Sequence, residues 1–139
     1  MRFLTCWPIL ATAVVGTWAA DEQPKKTDRD RIQGTWVAEA TEINGKVVKA
    51  EVSLVIDGDT FEQYAGKLRV YLGTFELDEA KKPKQIATRI PFGFLASEEE
   101  GIYDLDGDTL KVCWGTPRPT EFATKTELQS FTVYKRKAK

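Results

Sequence analysis

Ile56-Asp57-Gly58-Asp59-Thr60-Phe61 returns, nearly letter for letter, as Leu105-Asp106-Gly107-Asp108-Thr109-Leu110. In each copy an Asp-Gly pair follows a hydrophobic residue and precedes a β-branched, apolar-flanked run. That is the strongest short-range sign of a β-hairpin, because glycine takes the positive φ such turns need without steric cost. Two such hairpins in 139 residues imply an antiparallel all-β fold and make Gly58 and Gly107 structural positions. The paired carboxylates lack the alternating Asp or Asn positions and the closing Glu of a calcium loop, so they read as turn chemistry and no metal site is assigned.

Working outward from these turns, Trp36, Ala38 and Ala40 alternate with Val37, Glu39 and Thr41, the pattern of a half-buried strand. Asn44-Gly45 is a tight turn into Lys46 to Val48, after which Val52, Leu54 and Ile56 alternate toward the first Asp-Gly pair. Strands follow at Thr60 to Tyr64 and Lys67 to Leu77, where Leu68, Val70 and Leu72 share a face and Gly73 marks a bulge. Further strands fall at Gln85 to Ile90, Gly101 to Leu105, Thr109 to Trp114 and Ser130 to Lys135, and Glu98-Glu99-Glu100 reads as a charged loop. With about eight strands, short links and no helical periodicity, the expected fold is a single antiparallel up-and-down β-barrel, lipocalin-like, spanning residues 31–139.

The chain opens on Arg2, an almost uncharged apolar run from Phe3 to Val15, and Thr17-Trp18-Ala19, which offers small residues where a signal peptidase reads. Residues 1–19 are therefore expected to be a signal peptide, and the protein to be exported, periplasmic or secreted. The alternative is an uncleaved N-terminal membrane anchor, which Pro8, Gly16 and the lack of a basic stop-transfer cluster argue against. Residues 20–30, charged and containing Pro24, are expected to be a flexible polar linker.

What remains is one domain's length, roughly 120 residues, enough to bury a core. The net charge is −1 with both signs interspersed, which argues against a nucleic-acid partner and against membrane insertion once the leader is gone. The chain holds no His and two Cys, so a His-based triad and an imidazole metal site are excluded. With Cys6 in the leader, Cys113 stands alone in a strand, where it reads as a small buried hydrophobe. No catalytic residue and no cofactor is assigned, and the protein is not expected to be an enzyme.

Several motifs, in order, resemble one known family: Ile32-Gln33-Gly34-Thr35-Trp36, Asn44-Gly45-Lys46, Asp57 to Phe61, Gly73 to Asp78, Lys81 to Ile86, Gly101 to Cys113 and Arg118 to Phe122. The chain is similar to the small lipocalin-like domain expanded in planctomycete bacteria. That resemblance implies a β-barrel and frequent export, and the family has no established activity or catalytic residues. Gly34-Thr35-Trp36 also resembles the Gly-x-Trp signature of the first lipocalin strand. There the Trp packs at the closed end against an Arg from near the chain terminus, which implies Arg136 here.

One segment departs from that family's pattern: Arg89-Ile90-Pro91-Phe92-Gly93-Phe94-Leu95-Ala96 is apolar where the family is polar. It is either a hydrophobic lip or partner contact at the barrel mouth, or a plug folded onto the core. The leading function is binding of a small hydrophobic or amphipathic ligand inside the barrel. Trp36, Leu68, Val70 and Trp114 then line its wall by parity, with Phe92, Phe94 and Leu95 at its mouth. The alternative is a protein-interaction or structural domain of the cell envelope, its barrel filled by its own side chains.

Overall fold

The computed structural model describes residues 26–49, 51–91 and 97–138. The expected leader, the start of the linker, and Phe92, Phe94 and Leu95 lie outside the described residues. Among the described residues one helical turn, α1 (Asp28–Arg31), precedes nine strands: β1 (Gly34–Ile43), β2 (Lys46–Val48), β3 (Val52–Asp57), β4 (Thr60–Ala65), β5 (Leu68–Asp78), β6 (Gln85–Ile90), β7 (Ser97–Asp106), β8 (Thr109–Trp114) and β9 (Ser130–Arg136). Each strand from β3 to β8 pairs antiparallel with the next, and β1 pairs with both β3 and β9. Eight strands therefore close into an all-β up-and-down barrel, and β2 is a short flap on the end of β1.

The two repeated phrases form two-residue hairpins. Asp57 pairs with Thr60 and Asp106 with Thr109, which leaves Gly58-Asp59 and Gly107-Asp108 as the loops. Only the glycine of each loop has positive φ, +62° at Gly58 and +56° at Gly107. The first loop position is where a tight hairpin wants glycine, so the first Asp of each phrase is the last strand residue. Asn44 and Gly45 both take positive φ, matching the twist of the β1–β2 hairpin.

Two bulges decide which side chains face inward. In β1 the pairing with β9 shifts between Ala38 and Ala40, so Glu39 is the extra residue. Beyond it Thr41, not Ala40, sits opposite buried Thr132, their hydroxyls 3.2 Å apart. The second shift makes Val70 the extra residue, because Gln63 pairs with Tyr71 while Tyr64 pairs with Arg69. The expected bulge at Gly73 is absent. A Cβ there would lie 2.2 Å from the carbonyl oxygen of Arg89, so glycine is required for close approach of β6.

Part of the stretch expected to be a flexible linker is structured: Thr27 caps α1 (Asp28–Arg31). Thr27 and Asp30 cap α1 reciprocally, and Asp28 is buried where a polar linker was expected. Glu98, Glu99 and Glu100 lie in β7 and not in a loop. The segment after β8 crosses the outer face of β7, β8 and β9. It covers Cys113, whose thiol faces the carbonyl of Ala123 at 3.6 Å, and brings Phe122 to 5.8 Å from Phe131.

Candidate functional site: an apolar cavity open at one end

The closed end of the barrel is built by α1 and its aftermath. Ile32, fully buried, drops into the barrel as a plug, and its carbonyl accepts the indole N–H of Trp36 at 2.8 Å. Arg136 covers the other side of Trp36, its guanidinium carbon 4.3 Å from the ring centre. The same guanidinium donates to the carbonyls of Gln33 and Arg31 at 2.6 Å each and to Asp108 at 3.0 Å. Gly34, with φ +119°, leaves room for it, since a Cβ would lie 3.3 Å from Arg136 Nη1.

The second carboxylate of each Asp-Gly-Asp phrase thus holds an arginine. Asp108 takes Arg136, and Asp59 pairs with Arg29 of α1. Gln33 binds the first turn through Gly58, accepting from its N–H at 2.7 Å and donating to its carbonyl at 3.1 Å. Beside this, Asp28 accepts from Lys84 Nζ at 2.7 Å and from the Tyr103 hydroxyl at 2.9 Å, with Arg31 at 3.5 Å. Burial alone would raise the Asp28 pKa, but these donors and charges outweigh it and hold the carboxyl below its usual value. Tyr103 is displaced strongly upward, first by burial and then by its bond to Asp28.

Above Ile32 a cavity of about 60 Å³ runs up the barrel axis toward the opposite end. Leu54, Ile56, Ile86, Leu110 and Val112 make its aliphatic wall, and Phe61, Tyr71, Phe75, Trp114 and Tyr134 its aromatic one. Burial pushes the Tyr134 hydroxyl up to about 12, so that group stays neutral. Gln63, Thr88 and Glu99 supply the polar lining, and no Lys or Arg lines the cavity among the described residues.

Of the wall residues expected from sequence, Trp114 lines this cavity and Trp36 does not. Trp36 belongs to the closed end, with Ile32 between it and the cavity. Leu68 and Val70 are 68% and 41% exposed and line nothing there: Val70 is the extra residue of the bulge, which hands the inward position to Tyr71, and Leu68, opposite Ala65 at the first residue of β5, lies beyond the cavity at the end of the hairpin. Glu99 escaped sequence reasoning because a like-charge run resembles a loop. Three identical residues carry no alternation, so nothing in the sequence marked the middle one as inward-facing.

The chain matches no known protein-family model, no curated protein and no solved structure. Fold and site therefore define the molecule as a closed antiparallel barrel with one end stoppered and a small apolar cavity reaching the other.

Proposed function

We propose that this protein is a non-catalytic binding domain that takes a small molecule, or the end group of a larger one, into the open end of its barrel. The observation that carries this reading is the continuous cavity from Ile32 to Trp114, walled by apolar side chains and rimmed by a few polar groups, the usual makeup of a small-molecule site. Its volume of about 60 Å³ is far below the roughly 300–1,000 Å³ of pockets for drug-sized ligands. A whole lipid or porphyrin does not fit. The reading includes export to the periplasm or exterior, which rests on the leader-like residues 1–19, and membership of the planctomycete-expanded lipocalin-like family, which rests on motif order.

Native mass spectrometry of the protein purified gently from its own host, followed by denaturing release, tests the reading. A stoichiometric small molecule supports it. A clean apo mass with an intact fold favours the second reading, an envelope interaction domain with a self-filled barrel, which the small volume of the cavity also supports.

A further inference from the structure

The mouth of the cavity carries a charge pattern that selects among ligands. On the β5–β6–β7 ladder, Phe75 pairs with Thr88 and Thr88 with Glu99, so these three side chains stand side by side on the inward face. Two residues further along β7 on the same face, Gly101 has no side chain and the indole of its β8 partner Trp114 lies over it, close enough that a Cβ would be 2.8 Å from Trp114 Cε3. Tyr71, half exposed, faces the same cavity from β5. A carboxylate thus stands at the mouth among Tyr71, Phe75 and Trp114.

The neighbouring acids are already matched. Glu98 pairs with Arg89 at 2.8 Å and Glu100 faces Arg118 at 3.8 Å, while Glu99 has no cation within 4 Å among the described residues. Aromatic faces attract a cation through their ring quadrupoles, and the attraction grows where water is excluded. A carboxylate beside them adds charge of the required sign, and repels an acid.

We infer that the ligand end group is a small organic cation, an alkylammonium or methylated ammonium, held by Glu99 with Tyr71, Phe75 and Trp114 around it. This rests on the binding reading above and specifies its ligand class. The charge of Glu99 disfavours carboxylates at this mouth. Because Glu99 is solvent-exposed, the preference for cation over neutral isostere is about tenfold, not thousandfold.

The test is calorimetric titration of the purified protein with three probes of one shape: tetramethylammonium, neopentyl alcohol and pivalate. Expected is binding in the order cation, neutral, anion, with the cation about tenfold tighter than the alcohol at low salt. Glu99→Gln is expected to abolish that preference while leaving the alcohol's affinity in place, and circular dichroism confirms that the variant keeps its fold. Equal binding of cation and alcohol overturns the cation assignment and leaves the binding reading standing. Binding of none of the three, at concentrations up to tens of millimolar, overturns both.

Discussion

Arg136 lies over the indole of Trp36, 4.3 Å from its centre, and its two terminal nitrogens hold the carbonyls of Gln33 and Arg31. One side chain from the last strand thereby fixes the segment that stoppers the barrel. Arg136→Ala is expected to cost about 1–3 kcal/mol, combining the lost cation–π contact with lost charge-assisted hydrogen bonds. Arg136→Lys is expected to recover less than half of this, since an ammonium lacks the planar fork that reaches two carbonyls while stacking on a ring. Urea unfolding followed by tryptophan fluorescence checks both, and a lysine variant as stable as wild type would refute the stacking argument.

Asp28 gives the stopper a pH dependence. Its carboxyl has a pKa below the usual 3.8 in the folded state, so the folded protein binds that proton less readily than the unfolded chain. The associated stability is fully present above the ordinary carboxylate range and is lost as pH falls through that range toward the lower folded value. Asp28→Asn is expected to lose about 1–3 kcal/mol at neutral pH, because Lys84 and Tyr103 keep their places without a charge to meet. The variant's stability is also expected to fall less steeply than wild type between pH ~5 and ~2. Thermal melts across that range measure the difference in slope, and parallel slopes would rule out Asp28 as a contributor to the acid limb.

The hairpins were legible because Gly58, Gly107 and Asn44-Gly45 announce local backbone geometry, and turns are local. Trp36 and Arg136 were also legible as a pair through the Gly-x-Trp pattern, although 100 residues of chain separate them. Two other features were not. Inward or outward facing is inherited along a strand from every preceding residue, so a single inserted residue at Glu39 or Val70 reverses all that follow. Neither bulge carries a glycine or proline to mark it. The burial of Asp28 was invisible for another reason: its partners Lys84 and Tyr103 lie 56 and 75 residues away, and a charged side chain reads as solvated until such partners are known.

Cys113 is expected to be an inert thiol in the folded protein. It is fully buried under the segment that crosses the outer face of β8, and burial raises its pKa. In a Cys6→Ser chain, labelling by a thiol-reactive disulfide dye is expected to run about a hundredfold or more slower than in denaturant. Rapid labelling of the native protein would show that the covering segment opens readily. Cys113→Ala is expected to lose only about 1 kcal/mol, and Cys113→Ser more, because a hydroxyl buried there has just the Ala123 carbonyl to meet.

Gly73 and Gly101 separate two demands made on glycine in this barrel. Neither has positive φ, yet a Cβ at Gly73 would stand 2.2 Å from the Arg89 carbonyl oxygen, and one at Gly101 would stand 2.5 Å from that of Cys113. Backbone in a closed sheet cannot step aside as a flexible side chain does, so Gly73→Ala is expected to cost about 2–4 kcal/mol. Gly45→Ala, where φ is +76° and nothing lies within 4 Å, tests conformation alone, at about 1–2 kcal/mol. Gly101→Ala carries a further consequence, since its methyl group also meets Trp114 and drives the indole off the cavity wall. Its expected signature is a change in tryptophan emission together with weakened probe binding, beyond what lost stability explains. Gly73→Ala, brought to the same folded fraction by cooling, is expected to leave the position of Trp114 unchanged. Equal spectral changes in the two variants would show that general loosening of the barrel, not displacement of Trp114, is being measured.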